Sequence, residues 1–282
     1  MKVLADDLAL ATADGHRWEL PARLPDAPKA ALLWLPALGV AARHYLPFAE
    51  ALAAHGIATF LHEWRGHGSS NLRASRSCDW DYRTLLETDI PASQRGIAMR
   101  LPDVPALIGG HSLGGQLSAC RLALAPDSAT RLWLVGSGAP FPSAFGGVLK
   151  LALPVMLHVL PWLAAHRGAL PGRRIGFGGR EAAGVMRDWG ATGRAERYAI
   201  PSLGRDLDPA LRQVAYPVDA VALEGDRYAP EASLQALVDR LGGPVRIEHI
   251  GREATGGHAG HFGWMRDPGA VAAALAASIG SQ

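Results

Sequence analysis

One serine in the chain sits where it could become a nucleophile. Residues 108–116 read Ile-Gly-Gly-His-Ser-Leu-Gly-Gly-Gln, with a short apolar run before them and a helix-forming stretch, 117–124, after them. A strand that turns into a helix within two or three residues strains the turn residue, so its neighbours two positions away must be small. Gly110 and Gly114 meet that need around Ser112. Such a turn holds the hydroxyl above a sheet and aims N–H groups of the helix N-terminus at the same point. The competing reading is a plain glycine-rich turn, since 33 of 282 residues are glycine; the flanking strand and helix favour the nucleophile.

A serine hydroxyl is a poor nucleophile near neutral pH unless a base takes its proton, and the base needs a carboxylate to orient it. After a turn of this kind the acid follows at a strand end and the histidine in a late loop. Asp226, in Glu-Gly-Asp-Arg-Tyr-Ala-Pro beyond the predicted strand 218–223, meets that order. Glu224 is the second candidate, with Asp219, Asp206 and Asp208 behind it. For the base, His261 in Gly-Gly-His-Ala-Gly-His-Phe-Gly-Trp-Met is preferred over His258, because it lies nearer the final helix. The oxyanion of a tetrahedral intermediate needs two donors. The Leu113 N–H is one and the Leu38 N–H the other, with Ala37 as the alternative to Leu38.

These groups predict acyl chemistry. His261 takes the Ser112 proton as the oxygen attacks an ester, thioester or amide carbonyl, Asp226 orients the imidazole, and water releases the acyl group. An acyltransferase on the same triad, or a catalytically silent binding protein, are the alternatives. No metal or organic cofactor is required. A metal hydrolase through His62, Glu63 and His67 is disfavoured, because the histidines are not at the i, i+4 spacing of a helical zinc pair. Nucleotide binding through Gly-Phe-Gly-Gly-Arg-Glu (176–181) lacks both a preceding strand and a P-loop lysine.

The elements that must position these residues alternate. Asp14-Gly15 marks a hairpin near the start. Strands are predicted at 30–35, 57–61, 105–109, 131–135, 218–223 and 245–250, and helices at 44–55, 81–99 with a break at Pro91, 117–124, 231–241 and 268–278. This pattern predicts an α/β fold: a doubly wound, mainly parallel sheet covered on both faces. Residues 140–216 are too long for a connection and read as an inserted, mostly helical cap, dividing a core of residues 1–139 and 217–282. Its aromatic residues Phe141, Phe145, Trp162, Phe177 and Trp189 suggest a small-molecule substrate with an apolar acyl or aromatic group.

Composition removes other classes. Hydrophobic residues make up 49% and charged residues 19%, and 28 basic against 26 acidic side chains leave a net charge of +2, too weak a field to argue for a nucleic-acid partner. Cys78 and Cys120 do not make a disulfide framework. The first residues lack the apolar core of a secretory leader, which points to the cytoplasm. Residues 148–165 approach spanning length but carry Lys150, Pro154, His158 and Pro161, and read as a buried or lid helix pair without stable membrane insertion.

With these residues placed, the chain resembles the α/β-hydrolase superfamily over nearly its whole length, through Gly-Gly-His-Ser-Leu-Gly-Gly, Asp-Arg-Tyr-Ala-Pro, Gly-His-Phe-Gly and the turn His-Glu-Trp-Arg-Gly-His-Gly-Ser-Ser at 62–70. Within it the chain is most similar to bacterial hydrolases near the serine aminopeptidase and lysophospholipase-like branch, through Leu-Pro-Ala-Leu-Gly-Val and the helix that follows. The resemblance implies a serine hydrolase. Two departures stand out: Glu63 where the turn usually has Asp, and Pro36-Ala37 where His-Gly commonly precedes the oxyanion donor.

Overall fold

The computed structural model describes residues 3–258 and 260–279. The strands are β1 (Val3–Ala5), β2 (Leu8–Ala11), β3 (Arg17–Leu20), β4 (Ala22–Pro25), β5 (Ala30–Leu35), β6 (Ile57–Leu61), β7 (Ala106–His111), β8 (Leu132–Val135), β9 (Ala169–Pro171), β10 (Arg180–Ala182), β11 (Ala199–Ile200), β12 (Arg205–Asp206), β13 (Val218–Leu223) and β14 (Val245–Ile250). The helices are α1 (Leu46–Ala54), α2 (Tyr82–Thr84), α3 (Ile90–Arg100), α4 (Leu113–Leu124), α5 (Gly147–Arg167), α6 (Gly172–Ile175), α7 (Ala183–Ala195), α8 (Asp208–Leu211), α9 (Glu231–Val238) and α10 (Gly269–Ala276).

Eight strands form one sheet in the order β1-β4-β6-β5-β7-β8-β13-β14. β4 runs antiparallel to both β1 and β6, and every other neighbouring pair is parallel. β2 and β3 pair as the expected hairpin around Asp14-Gly15. Parallel neighbours need crossovers, and α1, α3, α4 and α9 supply them. β5 shows why the sheet is covered on both faces. Ala31, Leu33 and Leu35 enter one hydrophobic cluster while Ala30, Leu32 and Trp34 enter the other, so every residue of the strand is buried.

Between β8 and β13 the chain leaves the sheet for α5 to α8 and two short ribbons, β9-β10 and β11-β12. α5 and α7 pack against each other. Two expectations about proline need correction here. Pro91 does not break the 81–99 region, because a π-helical segment at Leu85–Asp89 shifts the register and leaves Pro91 in the first turn of α3, where its missing N–H is not needed. Residues 148–165 are not a pair but the single helix α5, with Pro154 and Pro161 inside it. Pro161 cannot donate to the Leu157 carbonyl, and the Arg194 guanidinium of α7 donates to that carbonyl instead.

A buried polar cluster holds the turn at 62–70. The Arg65 guanidinium grips Asp89 through two hydrogen bonds of 2.7 and 2.8 Å and reaches Asp14 at 2.7 Å. His16 contacts both Asp89 and Ser70. Burial pushes the Asp89 carboxyl upward, but the bonds from His16 and Arg65 outweigh it and hold it below the usual range. Next to this cluster His62 is fully buried, with Nδ1 2.9 Å from the Ser93 hydroxyl. Burial penalises its charged form and lowers it to about 4, although the Asp89 charge opposes the shift.

An unfolded imidazole takes up a proton below about pH 6.5, while buried His62 does so only near 4, so the unfolded state binds more protons in between. Stability is therefore expected to fall as pH drops through that window, by roughly 2 kcal/mol between pH 7 and pH 5 from this group. Urea denaturation at the two pH values measures the loss, and His62→Gln should flatten the slope.

Candidate active site

Four strands of the parallel part of the sheet, with β8 between the middle two, deliver the candidate residues at their C-terminal ends, where ligands bind in open parallel sheets. Leu38 follows β5, Ser112 follows β7, Asp226 follows β13 and His261 follows β14. The shared C-terminal edge of the sheet thus brings together side chains far apart in the sequence.

The Ser112 turn is tight. Ser112 has φ 56° and ψ −121°, one of two non-glycine residues with positive φ among those described. A Cβ on Gly110 would lie 2.3 Å from the Gly114 carbonyl carbon, and one on Gly114 would lie 2.0 Å from the Leu35 carbonyl oxygen. Only glycine lets α4 start this close to the ends of β5 and β7. The Ser112 N–H donates to the Val135 carbonyl at 3.2 Å, and its own carbonyl accepts from Gly115 at 3.1 Å.

The Ser112 hydroxyl lies 2.9 Å from His261 Nε2, and His261 Nδ1 lies 2.8 and 3.0 Å from the two Asp226 oxygens. A carboxylate can only accept, so Nδ1 carries the proton and Nε2 accepts from the serine. Asp226 is fixed in turn: Oδ1 accepts from the N–H groups of Tyr228 and Ala229, each at 2.9 Å. His261 and Asp226 are buried, and the Tyr228 and Phe262 rings pack around the imidazole, the first tilted and the second edge-on.

Ser112 and His261 open into a cavity of about 130 Å³. Leu38 and Leu113 line it, together with Phe145, Leu149, Leu153, Met156, Phe177 and Trp189 from the inserted segment. Of the five aromatic residues singled out in that segment, Phe141 and Trp162 are not among the lining: Phe141 is buried against Tyr198 and Arg240, and Trp162 is exposed. The other candidates lie elsewhere. Glu224 accepts from the Arg252 N–H, Asp219 pairs with Arg131 and Arg246, Asp206 with Arg197, and Asp208 with Arg240. His258 is exposed in the loop before His261. His62, Glu63 and His67 do not converge: they meet Ser93, the N–H groups of Ala42 and Ser69, and Glu181.

Two supports of the site have no motif in the sequence. Tyr45 accepts the Ala37 N–H at 2.9 Å and lies 2.8 Å from His111 Nδ1, joining the loop after β5 to the residue before Ser112. His111 packs on His261 with ring centroids 4.6 Å apart, and burial keeps it well below the usual histidine range. This link occupies the loop where Pro36-Ala37 departs from the common His-Gly. The second support is the glycine-rich loop at 176–179. A Cβ on Gly39 would lie 2.2 Å from the Gly179 nitrogen, so the inserted segment presses directly on the β5 loop. Glu181 fixes that loop by accepting from the Gly179 N–H at 2.6 Å and meeting His67 at 3.4 Å.

A family profile described as serine aminopeptidase, S33, matches residues 26–179. Solved structures share the fold at low identity. The esterase domain of a Rhodothermus marinus protein aligns with TM-score 0.65 and 16% identity, over 99% of this chain and 98% of that one. A putative lipase from Acinetobacter baumannii gives 0.67 and 15%, over 98% and 91%. A thermophilic esterase from Thermogutta terrifontis gives 0.62 and 14%, over 97% and 98%.

Tyr45→Phe keeps the ring and removes the hydroxyl that joins Ala37 to His111. Leaving those two buried groups unpaired is expected to cost about 1–3 kcal/mol, read by urea denaturation.

Proposed function

The chain belongs to the serine aminopeptidase S33 family and is an α/β-fold hydrolase; from that premise we propose that it cleaves carboxylic esters through an acyl-enzyme on Ser112. The observation that carries this reading is the hydrogen-bonded line from the Ser112 hydroxyl through His261 to Asp226, at one side of an apolar cavity. His261 Nε2 removes the serine proton as Oγ attacks the carbonyl carbon, and Asp226 stabilises the imidazolium that forms. The N–H groups of Leu113 and Leu38 hold the oxyanion. The alcohol leaves with the proton from His261, and water, activated by the same imidazole, releases the acid.

Residues 140–216 act as the cap that shapes the acyl site. Phe145, Leu149, Leu153 and Met156 offer an acyl chain apolar contacts and few polar ones. This supports an ester with an apolar acyl group over a peptide, whose extra amide groups would need hydrogen-bonding partners in the cavity.

Each methylene buried in such a cavity contributes about 0.8 kcal/mol, roughly fourfold in kcat/KM, until the space is filled. A series of p-nitrophenyl esters of increasing acyl length should rise in steps of that size and then fall. Met156→Trp should move the optimum to shorter chains, and Ser112→Ala should abolish turnover throughout. Matched anilides that turn over faster than the esters would overturn the ester reading in favour of an amidase.

A further inference from the structure

The helix that lines the acyl cavity has a second apolar face, and that one points to solvent. Val148, Leu151, Val155, Val159 and Trp162 recur at three- and four-residue steps along α5, so they share one side of the helix. Val148 is 81% exposed, Leu151 77%, Val155 60% and Trp162 58%. Leu153, Leu157, Leu160 and Ala164, on the opposite side, are buried. A row of large apolar side chains this continuous and exposed is unusual on a soluble surface.

Charge says what covers it. Between Asp127 and Glu181 the chain has no acidic residue, and α5 itself carries Lys150 and Arg167 without a carboxylate. At its C-terminus and just beyond, Arg167, Arg173, Arg174 and Arg180 line a single cleft of about 320 Å³. None of the four pairs with a carboxylate among the described residues. Four guanidinium groups around one space repel each other unless an anion lies among them, and guanidinium groups suit phosphate oxygens. A second copy of the chain would bring the same positive charge to this end of α5. A protein partner would also need a groove to receive the convex ridge of α5, whereas a lipid phase conforms to it.

We propose that α5 and the arginine cleft form a docking surface for anionic phospholipid membranes. The stripe from Val148 to Trp162 lies among the acyl chains near the headgroups, and the four arginines hold lipid phosphates, as in amphipathic helices that lie in a membrane interface. The glycine-rich loop joins this surface to the acyl site: Gly179 borders the cleft, while Gly176, Phe177 and Gly178 border the cavity. Leu149, Leu153 and Met156 line that cavity from the other side of the same helix, so a docked α5 leaves one helix between the acyl site and the bilayer. Docking does not depend on the catalytic reading, and Ser112→Ala should bind membranes as the wild type does.

The test is co-sedimentation of the full chain with vesicles of phosphatidylcholine alone and of equal parts phosphatidylcholine and phosphatidylglycerol, at low and high salt. Expected is binding to the mixed vesicles, weakened by salt, with little binding to phosphatidylcholine. Each arginine near a charged surface adds about fivefold, so Arg173→Gln with Arg174→Gln should lower partitioning roughly thirty-fold. Leu151→Ser with Val155→Ser should lower it on both vesicles, with unchanged thermal unfolding in both variants. Wild type that stays in the supernatant, binds both vesicles equally, or loses nothing in either variant overturns the proposal. So does light scattering that shows a dimer dissolved by the apolar substitutions. Inorganic phosphate bound by the wild type and lost with the arginines, without vesicle binding, would assign the cleft to a soluble phosphate ligand instead.

Discussion

The contact on which the site depends is the approach of Gly114 to the end of β5, so close that a methyl group there would overlap the Leu35 carbonyl. Ser112 can occupy its positive-φ conformation because the helix behind it is pinned against two parallel strands. The strain is local, while the forces that resist it are distributed. β5 and β7 pair over five residues, both faces of β5 are packed, and the Ser112 N–H is held by Val135 at the end of β8. A residue in so sparsely populated a conformation persists only where its surroundings over-determine it. Gly115 adds to this, because a side chain there would collide with the Ser137 hydroxyl from the loop after β8.

Around that fixed point the other candidate groups arrive on separate supports. Asp226 is held by two backbone N–H groups of its own turn, so its orientation does not rely on the histidine. His261 is clamped by tilted contacts with the His111 and Tyr228 rings and an edge contact with Phe262, and its tautomer follows from its contact with Asp226. The loop after β5 is tied from below by Tyr45 and from above by the glycine-rich loop of the inserted segment. That second tie makes the inserted segment part of the site's framework, since Gly179 and Glu181 join it to both the β5 loop and His67.

The sheet strands were legible because the buried ones are short, mainly apolar runs between turn signals, as in β13, while the edge strand β14 shows the alternation of a half-exposed strand. Ser112, Asp226 and His261 could be picked out because chain order and strand ends constrain them strongly. The Tyr45–His111 bond could not, since nothing in the local sequence ties two residues 66 positions apart. The glycine-rich stretch at 176–179 lacks the signals of a nucleotide loop, and its actual use, the approach of Gly178 and Gly179 to Gly39, depends on a partner only the fold reveals. Both proline misreadings share one cause. A proline breaks a helix only if the freed carbonyl stays unsatisfied or the register cannot shift, and here Arg194 satisfies one while a π-helical turn shifts the other.

The central claim is that His261 and Asp226 make Ser112 a nucleophile. The most direct measurement is the intact mass of the protein after treatment with a fluorophosphonate, beside Ser112→Ala, with peptide mapping of any adduct. A single adduct on Ser112 that is absent from the variant is the predicted result. A folded wild-type protein that stays unmodified, or that carries its adduct on another residue, would contradict it.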